Sequence, residues 1–230
     1  CCGFTFLLGG GPVEMIFAFI AAGVGNLIRM KLIKHHYTLF LNIAVSISAA
    51  CLTYAVCLHM AELLLHVSAV HEAGYICSML FIIPGFPFIT SGIDLAKLDL
   101  RSGLERLTYS IIIVLVATMF AWIMALLLKL QPQDFVALHL GSMMHLVLRL
   151  IASFCGVFGF SIMFNSSVYI AATAACIGAV ANTLRLELVD YTGMPSAAAA
   201  FIGALTAGLL ASTIKRNHGY PRISLTVPSI

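Results

Sequence analysis

The sequence predicts an all-α fold: a polytopic transmembrane helical bundle made of inverted five-helix repeats. Three observations carry this expectation. Of the 230 residues, 61% are hydrophobic and only 9% charged, with a mean hydropathy of +1.06, whereas a soluble domain is about a quarter charged. The apolar residues gather in runs of the ~20 residues that a helix needs to cross a hydrocarbon core about 30 Å thick. The chain also matches itself at a shift of 156 positions.

Polar loops and turn residues mark the elements. The end of one helix occupies 1–8, spans follow at 13–28, 38–59, 74–93, 106–128, 140–164, 168–184 and 195–214, and another helix starts at 222. Gly9-Gly10-Gly11-Pro12, Asn165-Ser166-Ser167 and Gly193-Met194-Pro195 are the tight connections. The chain opens on Cys1-Cys2-Gly3-Phe4 and closes on Val227-Pro228-Ser229-Ile230, and it reads as cut within a helix at both ends. Residues 1–130 form the first transmembrane repeat, truncated at its N-terminus, and 140–230 the second, truncated at its C-terminus.

Orientation follows from the loop charges. Arg29, Lys31, Lys34, Lys97, Arg101, Arg106, Lys215, Arg216 and Arg222 fall in one set of alternate loops, and only Lys129 and Arg185 in the other. The first set faces the cytoplasm. The shift of 156 superposes Gly3 on Gly159, Phe4 on Phe160, Ala18 on Ala174, Asn26 on Asn182 and Arg29 on Arg185, and it brings the glycine-rich turn onto Asn165-Ser166-Ser167. A repeat of five helices, an odd number, turns its second copy upside down. Inverted repeats are the signature of many secondary transporters, whose site lies near the bilayer midplane.

Several classes are excluded or unsupported. A net charge of +3 is too small and scattered for a nucleic-acid footprint. The seven cysteines show no CxxC pair and read as small core residues. There is no GxSxG, no Walker loop and no HExxH, so no enzyme activity, cofactor or metal is expected. His59, Glu62, His66, His71 and Glu72 invite a metal hypothesis, but their spacing fits neither HExxH nor HxxEH.

Pro84-Gly85-Phe86-Pro87 must break its helix, because each proline removes a backbone donor and clashes with the preceding turn. Broken backbone survives in a membrane only where it is buried in protein or lines a watery cavity. The half-helix after the break should offer its N-terminus to an anionic group, with Thr90 and Ser91 adding hydroxyls. Asp94, Lys97, Arg101 and Glu105 are spaced as a ladder on one helix face. Asp94 follows the apolar half-helix and is either a proton carrier or part of a solvated connection. Arg149 is either about 13 Å deep in its helix and in need of a carboxylate, or it snorkels to the interface. Asn26 and Asn182 bond across helices, line the pathway, or serve capping and packing.

Ile83-Pro84-Gly85, Asp94-Leu95, Asp99, Ser102-Gly103-Leu104 and Arg106-Leu107 together resemble the mid-chain signature of the threonine/serine exporter family. Tyr220-Pro221-Arg222 to Val227-Pro228 looks like the approach to that family's second proline-glycine motif. The resemblance implies a ten-helix inner-membrane protein that exports small amino acids at the expense of the proton gradient. Its split members, associated with dicarboxylate export, leave a succinate-like substrate as the alternative, and a passive channel is the rival from another class. The expected substrate-binding residues are Pro84, Gly85, Phe86, Pro87, Thr90, Ser91, Asn26 and Asn182; the proton-coupling residues are Asp94 and Asp99; and Gly103, Arg106 and Arg149 are structural or gating residues. The expected partners are a small amino acid or carboxylate, protons and the lipid bilayer, with a homo-oligomer allowed. Leu98 departs from the family, many of whose members carry Gly there, and the second break is expected beyond these residues.

Overall fold

At Gly9 the backbone turns left-handed (φ 88°) and ends α1 (Cys2–Leu7), and Pro12 opens α2 (Pro12–Lys34). Proline loses nothing there, since the first N–H of a helix has no intrahelical partner. The computed structural model describes residues 1–65, 72–130, 142–218 and 220–229, all helices and connections with no strand among them. After α2 come α3 (Leu39–Leu65), α4 (Glu72–Ser78), a 3-10 turn at Leu80–Ile82, α5 (Gly85–Ala96) and α6 (Leu100–Leu127). The rest comprises α7 (Ser142–Met163), α8 (Val168–Thr192), α9 (Ser196–His218), α10 (Arg222–Thr226) and a 3-10 turn at Val227–Ser229.

Among the described residues six helices, α2, α3, α6, α7, α8 and α9, are long and apolar enough to cross a membrane. A bent pair, Ala73–Ile82 and Gly85–Ala96, meets at 60° and makes a seventh, broken span if the two are counted as one. The all-α polytopic bundle is therefore observed. Along α6, Leu115, Met119, Trp122 and Leu126 are each more than half exposed. In water that stripe would be a liability, whereas in a bilayer it matches the acyl chains.

The chain divides into two units, 1–138 and 139–230. In the first, α2 is flanked by α1, α3 and α4, and α5 and α6 form a hairpin that joins the rest through α3. Its core is built largely of small residues: α2 packs on α3, and Ala18, Ala21 and Ala22 of the one and Ala50 and Cys51 of the other are buried, together with Ile47, Tyr54 and Phe81. Small side chains let helix axes approach closely, the main source of packing energy where lipid supplies no hydrophobic drive. A Cβ on Gly25 would lie 2.7 Å from the Phe81 ring and 2.9 Å from Ala50. In the second unit α8 is central, with α7, α9, α10 and the terminal turn packed on it. Val157, Ala174, Ala175, Ile177, Ala181, Ala207, Ala211 and Leu225 form its core.

The two units repeat one turn bond for bond. Gly9 N–H donates to Phe6 O and Gly10 N–H to Thr5 O; 156 residues on, Asn165 N–H donates to Ile162 O and Ser166 N–H to Ser161 O. This is the Schellman helix ending, with the left-handed residue Gly9 in one copy and Asn165 (φ 58°) in the other. α1 and α7 end, and α2 and α8 begin, at residues related by the same shift.

Three sequence expectations are corrected. α6 begins at Leu100 rather than 106, and only Lys97–Asp99 separate it from α5, so the ladder from Asp94 to Glu105 is not on one helix. Asp99 explains the early start: its side chain accepts from Ser102 N–H and caps α6. α8 runs on to Thr192, so Arg185, Glu187 and Asp190 lie on the helix instead of in a loop. Of the cysteines, Cys51 and Cys77 are buried as expected, but Cys155 and Cys176 are exposed.

Candidate functional site

Chain geometry at the break follows from its two prolines. Pro84 caps α5, and Pro87, in the first turn, has no N–H to give. Gly85 N–H donates to Ile83 O at 2.9 Å and Phe88 N–H to Pro84 O at 3.2 Å. The turn thus uses most of its own donors, and the helix N-terminus expected to hold an anion has few left for one. Thr90 and Ser91 are buried, as their place beneath the break requires. Their hydroxyl protons are also committed, Thr90 Oγ1 donating to Phe86 O at 2.9 Å and Ser91 Oγ to Phe88 O at 2.7 Å. The lone pairs of Thr90 Oγ1 can still accept.

What the hairpin supplies instead is charge. α6 packs so closely on α5 that a Cβ on Gly103 would lie 2.7 Å from Leu95 Cγ and 3.1 Å from its backbone nitrogen. The close approach brings the second and third turns of α6 alongside the break. Phe86, Pro87 and Thr90 from α5 and Glu105, Arg106 and Tyr109 from α6 line an open pocket of about 430 Å³. Behind it, Arg106 Nη1 stands 2.9 Å from Asp94 Oδ2, close enough for an ion pair but not aligned as a hydrogen bond, so Oδ2 accepts none. Arg101 Nε lies 3.2 Å from Glu105 Oε1 in an exposed pair. Such an exposed pair contributes little stability and yields easily to another partner. The sequence does not single out either Glu105, which it shows only as part of the charge ladder, or Tyr109, which nothing distinguishes within the span from 106.

Arg29 is a second residue whose place the sequence did not show. It was read as one more cytoplasmic charge, but its Nη1 donates to Phe81 O at 2.8 Å. Phe81 lies in the 3-10 turn before the break, where a carbonyl has lost its helical partner. Arg29 satisfies that carbonyl and ties α2 to the inner end of the broken span.

Against this geometry stands one decisive comparison: residues 1–129, more than half of the chain, match the ThrE model of threonine/serine exporters. The chain belongs to the threonine/serine exporter family. A second model, Threonine/Serine exporter, ThrE, matches residues 149–230, so that nearly the whole chain is covered. No curated protein and no solved structure matches it. With its apolar helices the exporter is a multi-pass membrane protein, and its family implies a small-molecule substrate and a lipid bilayer.

The remaining candidates of this exporter fall elsewhere. Asn26 is half-buried on α2, makes no hydrogen bond among the described residues, and is not part of the pocket lining. Asn182 Nδ2 donates to Ser153 Oγ at 2.9 Å, a bond between α8 and α7. Arg149 has found carboxylates: its guanidinium bonds Glu187 Oε1 at 2.8 Å and also Asp190 Oδ2. Asp99 is exposed at the start of α6, and His59 lies 3.7 Å from Glu62 at an exposed position. His66 and His71 lie outside the described residues.

Proposed function

We propose that this protein exports small amino acids, threonine and serine above all, from the cytoplasm across the inner (plasma) membrane in exchange for protons. The observation that carries the reading is that Arg106 and Glu105, neighbours on α6, both line the pocket. A zwitterion needs one cation for its carboxylate and one anion for its ammonium group, whereas a dicarboxylate would need two cations and would be repelled by Glu105. Arg106 offers the planar fork that fits a carboxylate. Thr90 Oγ1, its proton committed to the helix, can accept the proton of a substrate hydroxyl, which favours threonine and serine over their apolar isosteres.

The mechanism follows from competition at Arg106. With the site empty, Arg106 faces Asp94; an arriving amino acid separates them, its carboxylate taking Arg106 and its ammonium group the ionised Asp94, so that substrate and proton compete for Asp94. A proton taken up by Asp94 on the outer side releases the ammonium group, expels the amino acid there and leaves on the inner side when the next one binds. The two units, read as inverted repeats, rock to expose the site alternately to either side.

The test is uptake of labelled threonine, serine and succinate into proteoliposomes, with and without an imposed proton gradient. Gradient-dependent movement of threonine or serine is expected. Gradient-dependent movement of succinate alone would make this a dicarboxylate exporter, and flux indifferent to the gradient would make it a channel. Arg106→Gln should raise the KM for threonine by roughly 10- to 100-fold, the worth of a charged hydrogen bond. Asp94→Asn should still exchange threonine but lose its response to the gradient, and full proton-coupled transport by that variant would remove Asp94 from the mechanism.

A further inference from the structure

Glu14 is a buried carboxylate that the pocket does not use. It lies in the first turn of α2 and is only 6% exposed, among Thr5 of α1, Tyr54 of α3 and Gly74 with Cys77 of α4. Gly74 N–H donates to its Oε2 at 3.3 Å. A carboxylate held among helices in a bilayer is costly to desolvate, and such residues mark proton and ion pathways more often than they serve as struts. The equivalent position of the second unit, 156 residues on, is Ile170, so the turn and helix pairing that the two units share do not require an acid.

Two features fit Glu14 to carry a proton. The first is access. Glu14 lies directly beneath the glycine turn: a Cβ on Gly10 would come within 2.6 Å of Glu14 Oε2, while at Gly11 there is open space. Only this thin turn separates the carboxylate from the end of α2 opposite Lys31 and Lys34, the outer end by the distribution of basic residues. The second is connection. α4 is held at one end by Glu14 through Gly74, and the 3-10 turn that continues it is held at the other by Arg29 through Phe81. The bent span then runs straight into the wall of the Arg106 pocket.

We propose that Glu14 is a proton-binding residue of the transport cycle, loaded from the outer side, and that its protonation loosens α4 and so signals to the broken span. This rests on the proton-coupled export reading and adds to it a second proton site, distinct from Asp94. The groups that face Glu14 from the neighbouring helices are Thr5, Tyr54 and Cys77, and the amino group of Cys1 acts on Cys77 beside them.

The experiment compares the wild type, Glu14→Gln and Glu14→Asp in proteoliposomes, measuring threonine exchange without a gradient and threonine accumulation driven by a proton gradient. Glu14→Gln should keep exchange and lose driven accumulation. Glu14→Asp should keep both, with the pH profile of driven uptake moved toward acid. Driven accumulation intact in Glu14→Gln, or an unmoved profile in Glu14→Asp, overturns the proposal. So does loss of exchange together with drive in Glu14→Gln, the mark of a purely structural strut. A wild type that exchanges no threonine refutes the export reading itself, and this proposal with it.

Discussion

Leu98 shows how one residue can be visible in a sequence while its meaning is not. Its backbone is left-handed (φ 65°), at the left-handed position of a Schellman ending in which Leu98 N–H donates to Leu95 O and Asp99 N–H to Asp94 O. A left-handed conformation costs an L-residue roughly 1–2 kcal/mol, and the 82% exposed side chain makes up for none of it by packing. The glycine expected from the family resemblance is therefore what the turn prefers. Leu98→Gly should stabilise the protein by up to about 1 kcal/mol, after the greater freedom of glycine in the unfolded chain is subtracted. Thermal unfolding in detergent should show a rise of about 2–4 °C with transport unchanged; a fall would mean that Leu98 contacts something outside this chain, such as lipid. The sequence exposed the departure at Leu98 but not its conformation, because φ is set by the length of the connection, and that length depended on where α6 begins.

At the scale of elements, the α5–α6 hairpin decides whether there is a site at all. Its closeness rests on Gly103, where an added methyl would meet both the flexible end of Leu95 and its fixed backbone nitrogen. The side chain can rotate aside, whereas the backbone can only move if α5 moves. Gly103→Ala should therefore destabilise by about 1–3 kcal/mol and draw Phe86 and Thr90 away from Arg106. A raised KM for threonine beside a lowered unfolding temperature is the expected result, and an unchanged KM would show that hairpin spacing does not shape the pocket. Pro84 and Pro87 made the break legible, since proline acts on its own helix. The residues that complete the pocket were hidden for the opposite reason: Glu105 and Tyr109 matter only through what α5 places beside them, and a polar helix start reads as a loop. Arg29 and Glu14 were hidden likewise, each defined by a partner about 50 to 60 residues away, Phe81 and Gly74.

For the whole molecule the open question is direction, since a five-helix repeat is useful to an alternating-access carrier only if its copies are inverted. The sequence made the repeat legible through Asn26/Asn182 and Arg29/Arg185, and the matched hydrogen bonds of the two Schellman turns support it at the level of backbone. Direction itself rests on charge. Lys31 and Lys34 end α2 whereas Glu187 and Asp190 lie in the last turns of α8, so equivalent helix ends carry opposite signs. Arg149 pairs with both acids on α8 and offsets part of their negative charge. If basic ends face the cytoplasm, the turn at Gly9–Gly11 opens outward and the turn at Asn165–Ser167 inward. Single cysteines at Gly11 and Ser166, in a background with the seven native cysteines replaced, should react with a membrane-impermeant maleimide from opposite sides of the membrane. Labelling of both from the same side would make the copies parallel. The two units could then still resemble each other, but exchanging their conformations would not turn an inward-open carrier into an outward-open one, and the exchange mechanism at Arg106 would need another source of symmetry.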